Sequence, residues 1–121
     1  MLPFDTNAIA SAANADGEFQ LAARLWNANI RLEVGSDAYL LQMREGRISE
    51  FSKADASKWD AKISAPESDW KELLQPVPKP FYQDLMAAMT RQSFKLEGDL
   101  LGFNPYYHAM CRLFELMRKS A

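Results

Sequence analysis

The side chains that most often carry out catalysis or bind metal ions are sparse in this chain. His108 is its single histidine and Cys111 its single cysteine, and both fall on one predicted helix. A nucleophile activated by histidine also needs a third group that orients the base, and the sequence offers none at a suitable spacing. The histidine has no companion at metal-ligand spacing either. We therefore predict no catalytic residue, no metal site and no cofactor.

The carboxylates have structural explanations. Asp5, Asp16 and Glu18 fall in turns or first helical turns, where capping and solubility account for them. Glu97 and Asp99 flank Gly98, which is typical of a tight turn in which the aspartate accepts local amide hydrogens. Glycine-rich phosphate loops, serine elbows and dinucleotide fingerprints are missing from the sequence. The chain is predicted not to be an enzyme.

Charge and composition limit the partners. The net charge of -2 and a pI near 5.4 argue against nucleic acid. A single cysteine favours a reducing cytoplasm. The chain has no apolar run of the roughly 20 residues that span a membrane. From residues 1–5 we expect no signal peptide, and from residues 119–121 no peroxisomal address. We expect one domain over residues 1–121, located in the cytoplasm without integral membrane association.

Bulky and flexible apolar side chains are abundant instead, and they suggest a lipid site. An apolar cavity between a sheet and its helices would bind a fatty acyl or sterol-like ligand by removing its surface from water. Periodicity alone does not separate a filled core from a hollow one. The candidate cavity residues are Trp26, Met43, Phe81, Tyr82, Leu85, Met86, Met89, Phe94, Phe103, Tyr107, Met110 and Phe114.

The first half of the chain predicts two helices and four strands. Residues 1–15 read as a short helix or frayed segment, and Asp16 starts a firmer helix whose apolar stripe ends at Trp26. Alternating apolar residues then predict strands at 28–34, 38–44, 47–52 and 59–64, separated by turns. We expect these strands to form an antiparallel meander with one wet face.

The second half predicts helices around a fifth strand. A short helix carries Trp70, with Ser68 or Ser64 as its cap, and a second helix runs over 80–91. A strand over 94–97 follows, and Asn104 and Pro105 predict the start of a final helix that reaches residue 119. The expected fold class is α+β, a five-stranded, mainly antiparallel sheet with one face covered by helices.

A family resemblance lies in residues 26–37, 45–48, 63–64, 69–70, 73–74 and 94–99, and it covers most of the chain after Glu18. These segments together resemble the sterol carrier protein 2 family, in particular its bacterial SCP2-like domains. In that family a five-stranded sheet and its helices enclose an apolar tunnel for fatty acyl groups or sterols. The resemblance implies the same tunnel here, with the helices over 80–91 and 105–119 as its walls.

Two other interpretations compete with a lipid carrier. The chain could be a non-catalytic interaction or dimerisation module, acting as a homodimer or beside a partner enzyme, with a collapsed cavity and an exposed apolar patch. A small enzyme of the cystatin-like cone type would also combine early helices with a curved sheet. Such sites usually need an inward-facing Asp-His pair, and His108 stands alone on a terminal helix.

Overall fold

A computed structural model describes residues 5–55, 57–78, 85–91 and 93–119 of the chain. The helices and strands follow one another in the order that the sequence predicts, apart from an extra short helix before the last one. They are α1 (Thr6–Ala15), α2 (Gly17–Ala22), β1 (Ala28–Val34), β2 (Asp37–Arg44), β3 (Arg47–Lys53), β4 (Ala61–Ala65), α3 (Glu67–Leu73), α4 (Leu85–Arg91), β5 (Lys95–Gly98), α5 (Leu100–Phe103) and α6 (Tyr107–Lys119).

The strands form one five-stranded mixed sheet in the order β3-β2-β1-β4-β5. Antiparallel pairing joins β1 to β2, β2 to β3 and β4 to β5, whereas β4 lies parallel to β1. The predicted four-strand meander is therefore wrong at β4, which crosses over to the central strand instead of extending beyond β3. The predicted α+β class and mainly antiparallel sheet are confirmed.

The free edge of β3 is covered by the first helix. The side-chain amide of Asn14 on α1 donates to the carbonyl of Ile48 at 3.0 Å and accepts from its N–H at 2.9 Å. Asn14 thus pairs with β3 as a neighbouring strand residue would, which hides part of an otherwise open edge. This contact gives one physical reason why β4 pairs elsewhere.

One face of the sheet is apolar and the other is charged. The side chains that alternate inward are nearly all fully buried: Ile30, Leu32, Val34, Tyr39, Leu41, Met43, Ile48, Phe51, Ala61, Ile63 and Ala65. On the opposite face Arg31 pairs with Glu33 and Asp55, each at 2.7 Å. Hydrogen bonds to these carboxylates raise the pKa of Arg31. The alternation confirms the predicted single wet face.

The first two helices begin at aspartate caps. Asp5 accepts from the N–H of Ala8, and Asp16 accepts from the N–H of Phe19 at 2.8 Å. Thr6–Ala15 is therefore a helix, α1, whereas residues 1–4 of the segment predicted over 1–15 lie outside the described residues. The helix after Asp16 is shorter than predicted, since it ends at Ala22 and Trp26 lies beyond it.

Two predicted helix starts are wrong. Pro66 precedes α3 without a side-chain cap, so neither serine caps it, and Glu67 and Asp69 supply negative charge to its first turn instead. The final helical segment begins at α5, where Asp99 accepts from the N–H of Gly102. Asn104 is already helical there, in a 3-10 turn over Asn104–Tyr106 that leads into α6. Asp99 rather than Asn104 therefore caps the final helical segment, in keeping with the predicted tight turn at Gly98 in which Asp99 accepts local amide hydrogens.

A bidentate ion pair joins the start of α2 to α6. Arg112 donates from Nε and Nη2 to the two carboxylate oxygens of Asp16 at 3.0 and 2.8 Å. Both side chains are mostly shielded, at 18% and 17% exposure. The hydrogen bonds from Arg112 and from the amide of Phe19 lower the pKa of Asp16 from 3.8 to about 2. The same carboxylate therefore caps one helix and holds another.

We predict that this ion pair makes the protein sensitive to acid. Because the pKa of Asp16 is lower in the folded chain, its contribution is complete above about pH 4 and is lost as the pH falls through about 2. Asp16→Asn should keep the cap but lower the free energy of unfolding at neutral pH by about 1–3 kcal/mol. Urea unfolding between pH 7 and 2 measures both effects.

Asp5→Asn is the matched control, since Asp5 also caps a helix but no ion pair of the described residues includes it. If Asp16→Asn and Asp5→Asn had the same pH profile, the ion pair would not be the cause.

Candidate functional site

The candidate cavity residues fall into three groups. The first group is buried between the sheet and the helices, with at most 3% exposure: Met43, Leu85, Phe94, Met110 and Phe114. Its members belong to one continuous apolar core. They lie between the sheet and the helices, where the resemblance implies a tunnel.

Trp70 of α3 organises this interior. Its ring meets Phe94 edge-on at 5.0 Å between centroids and Phe114 at 5.8 Å. The indole N–H donates to the backbone carbonyl of Glu33 at 2.8 Å, so its polar atom is paired while the ring is fully buried. Trp70 therefore connects β1, the residue before β5 and α6 through one side chain.

The second group comprises Met86 and Met89 on α4 and Tyr107 on α6. Leu85 and Ala88 on this helix are fully buried, whereas Met86 and Met89 are 60% and 37% exposed. The backbone N–H of Met86 donates to the hydroxyl of Tyr107 at 2.8 Å, which links α4 to α6. The predicted residues Phe81 and Tyr82 lie outside the described residues.

The third group, Trp26 and Phe103, lines a pocket of about 210 Å³ at one end of the sheet. We call it the aromatic pocket. Trp26 stacks on Tyr106 at 5.0 Å between ring centroids and meets Phe103 edge-on at 6.0 Å. The full lining is Leu25, Trp26, Asn27, Ala28, Ile30, Asp60, Ala61, Asp99, Gly102, Phe103 and Tyr106.

A hairpin turn fixes Trp26 in this pocket. The N–H of Gly46, between β2 and β3, donates to the carbonyl of Trp26 at 3.0 Å. Gly46 has φ +77, and a Cβ there would lie 2.8 Å from the carbonyl oxygen of Ala23. Only glycine allows this approach without strain. The predicted Glu45-Gly46 turn therefore also positions the pocket.

The opposite wall is built around Asp60. Its carboxylate accepts from the N–H of Asn29 at 2.7 Å, and its carbonyl accepts from the N–H of Asp99 at 2.7 Å. Gly98 adopts φ +105 here, and a Cβ would meet the Asp60 carbonyl and lie 2.9 Å from the Trp59 ring. Asp60 thus links β1 to the turn after β5, which brings Asp60 and Asp99 to the same pocket.

Sequence reasoning missed Asp60, Asp99 and Tyr106 as pocket residues. The local role predicted for Asp99 is confirmed, and Tyr106 belongs to the final helix predicted from Pro105 to residue 119. Only the crossover of β4 brings Asp60 close to them. The sequence signal that could have identified these pocket residues is the polar residue at the end of each strand. That signal does not specify which strands are neighbours.

The residues considered for chemistry are dispersed. His108 is exposed, and its ring lies 5.8 Å from that of Tyr107. Cys111 is half-buried and forms no disulfide. Within the described ranges, no group of three or more histidine, cysteine or acidic side chains is placed to hold a metal ion. Over the same ranges, every helix is too short or too polar to cross a membrane.

Comparisons with known proteins identify the fold. No family model matches the sequence, and no curated protein is significantly similar to it. The crystal structure of sterol carrier protein 2 matches with a TM-score of 0.77 at 21% identity, over 94% of this chain and 93% of that one. A Thermus thermophilus protein described as possibly a sterol carrier protein matches with a TM-score of 0.75 at 21% identity, over 96% and 85%.

The ubiquinone synthesis protein UbiJ-SCP2 also matches, with a TM-score of 0.64 at 17% identity, over 93% of this chain and 90% of that one. These likenesses confirm the SCP2-like fold that the sequence resemblance implied. The fold that they show is the SCP2-like one rather than a cystatin-like cone.

We predict that Gly98→Ala disrupts the Asp60 wall. The positive φ and the collision with the Asp60 carbonyl should lower the free energy of unfolding by about 2–4 kcal/mol. Gly17→Ala is the control, since a Cβ at Gly17 has nothing within 4 Å, and a helical alanine should be neutral or stabilising by up to about 1 kcal/mol. Urea unfolding compares them, and equal effects would contradict the assigned role of Gly98.

Proposed function

We propose that this chain binds a fatty acyl or sterol-like lipid between its sheet and its helices, and carries it without catalysis. The observation that supports this most directly is the likeness to sterol carrier protein 2 over 94% of the chain. The apolar inner face of the sheet, covered by helices, supplies the surroundings that such a ligand needs. Cys111, which forms no disulfide, suits a cytoplasmic location.

The proposed ligand site lies beneath α4 and α6. Leu85 and Ala88 face the core from α4, and Met110 and Phe114 face it from α6. Methionine side chains adapt to irregular shapes, so a core that contains them can rearrange around a guest at low cost. The proposal includes Phe81 and Tyr82 as further wall residues.

The exposed methionines of α4 suggest where a lipid enters. Met86 and Met89 expose apolar surface to water. A ligand chain that covers this surface would gain about 25 cal/mol of binding free energy per Å². The hydrogen bond from the Met86 N–H to Tyr107 holds this helix beside α6. A ligand that passes under α4 would have to loosen that contact or slide past it.

We predict saturable binding of a fluorescent fatty acid, and co-purified lipid in native mass spectrometry. Ala88→Phe places a bulky ring beneath α4, where the ligand is proposed to lie, and should weaken binding by about tenfold or more. Ala87→Phe adds the same side chain to the half-buried side of this helix and is the control. Competitors should include a sterol and a short-chain ubiquinone, because one similar structure is a ubiquinone synthesis protein.

Circular dichroism establishes that both variants are folded. If Ala88→Phe does not fold, probe binding and native mass spectrometry of the unmodified protein test the carrier function. Absence of both co-purified lipid and saturable probe binding would rule out the carrier function.

A second candidate function is an interaction or dimerisation module that supports a partner enzyme. It is favoured by leucines left in water on α2, the turn after it and α5: Leu21 at 71%, Leu25 at 68% and Leu101 at 86% exposure. Large apolar side chains in water are typical of residues that a protein partner covers. A homodimer is the simplest form of this proposal.

We predict for this second function that the protein self-associates. Light scattering after gel filtration should show a mass that falls on dilution, and Leu21→Gln combined with Leu101→Gln should be monomeric with unchanged unfolding. Val77→Gln is the control, since Val77 is 86% exposed but lies after α3. A monomer at every concentration would remove the homodimer.

A further inference from the structure

The two edges of the sheet differ. At β3 the side chain of Asn14 contacts both backbone groups of Ile48, so that edge is partly closed. The other edge is β5, and within the described ranges its only strand neighbour is β4. No described side chain pairs with the backbone of β5 as Asn14 does with that of β3. An open edge of this kind can accept another strand.

The direction of the backbone groups of β5 follows from the neighbouring strands. The N–H of Gly35 donates to the carbonyl of Ala65 at 3.0 Å, so the backbone of Ala65 turns towards β1. Because backbone groups alternate along a strand, those of Ser64 turn the other way, towards its partner Lys95 on β5. By the same alternation, the N–H and carbonyl of Leu96 point away from the sheet.

The charged face of the sheet carries a row of alternating charges that ends at this edge. The row runs from Asp55 through Arg31, Glu33 and Lys62 to Glu97 on β5, with N–O distances of 2.7, 2.7, 3.9 and 3.6 Å. The side chain of Glu97, its last member, is 50% exposed. An alternating row would continue with a cation beyond the outer edge of β5.

Lys95 has the charge that this position requires. It is exposed, and the ion pairs found among the described residues do not include it. Lys95 and Glu97 are two residues apart, so their side chains share the charged face. If a second copy of β5 lies antiparallel about a two-fold axis at Leu96, each Lys95 is opposite Glu97 of the other copy. The strand is therefore complementary to itself.

This two-fold arrangement also pairs the backbone. The outward N–H and carbonyl of Leu96 meet those of Leu96 in the second copy, as in a hydrogen-bonded pair of an antiparallel ladder. Lys95 and Glu97 then occupy non-hydrogen-bonded positions, where opposed side chains are closest. The side chain of Leu96 packs against the core, so the apolar inner faces of the two sheets adjoin.

We propose that two copies of this chain pair through β5 and form one continuous sheet. This pairing rests on the homodimer proposed as the second function, and it assigns the strand at its centre. Leu100 and Leu101 follow the edge directly, at 43% and 86% exposure, so apolar surface flanks the paired strands. The proposed lipid site does not depend on this pairing.

Charge reversal on β5 tests the pairing by light scattering after gel filtration. Lys95→Glu opposes two carboxylates and Glu97→Lys opposes two ammonium groups, so each variant alone should self-associate about tenfold or more weakly than the unmodified chain. An equimolar mixture of the two variants should restore the dimer, because each mixed interface again joins opposite charges. Circular dichroism and urea unfolding establish that both variants are folded.

Lys58→Glu and Glu50→Lys are the matched controls, since both side chains are exposed and lie outside β5. Singly and mixed, these variants should self-associate as the unmodified chain does. Hydrogen exchange of the unmodified chain reports on the strand without any substitution. The Leu96 amide should exchange about tenfold or more slowly in the dimer than at concentrations where the chain is monomeric.

The outcomes distinguish β5 pairing from the homodimer on which it rests. A monomer at every concentration would overturn both. A dimer that persists in Lys95→Glu and Glu97→Lys, or that leaves the exchange of the Leu96 amide unchanged, would overturn β5 pairing alone and leave the exposed leucines as the interface. Equal weakening in the two control variants would also overturn it.

Discussion

The apolar face of the sheet has to be covered, and most of the structure follows from that requirement. Alternation along β1, β2 and β4 sends every second side chain to one side. Because exposing that apolar surface to water is unfavourable, the helices from both halves of the chain pack against it. The opposite face needs no cover, since ion pairs such as Arg31 with Glu33 and Asp55 keep it compatible with water.

Two polar contacts determine how the cover is placed. Asn14 fixes α1 against the edge of β3, and Asp16 fixes the start of α2 to Arg112 on α6. In each contact the polar side chain lies on the helix that it holds in place, since Asn14 is part of α1 and Asp16 is the N-cap of α2. The hydrophobic effect alone has no direction, so these contacts select one arrangement among many that would bury the same area.

Much of the fold could be predicted because its signals are local. The alternation over 28–34, the aspartate cap at residue 16 and the turn at Gly46 depend on near neighbours in sequence. The pairing of β4 could not be predicted, since alternation identifies the face of a strand but not its neighbour. The same ambiguity concealed the aromatic pocket, whose wall at Asp60 depends on that pairing. The cap at Asp99 competed with an Asn-Pro pair that is equally typical of a helix start.

The parallel pairing of β1 with β4 and the contact of Asp16 with Arg112 affect how the chain acquires its structure. Asp16 and Arg112 are 96 positions apart, so the fold joins segments that leave the ribosome at very different times. The hairpins β1-β2 and β2-β3 can close early, because their contacts are local, whereas the inner face awaits α6. A growing polypeptide therefore presents an uncovered apolar sheet until α6 has been synthesised, and exposed apolar surface of that kind favours aggregation.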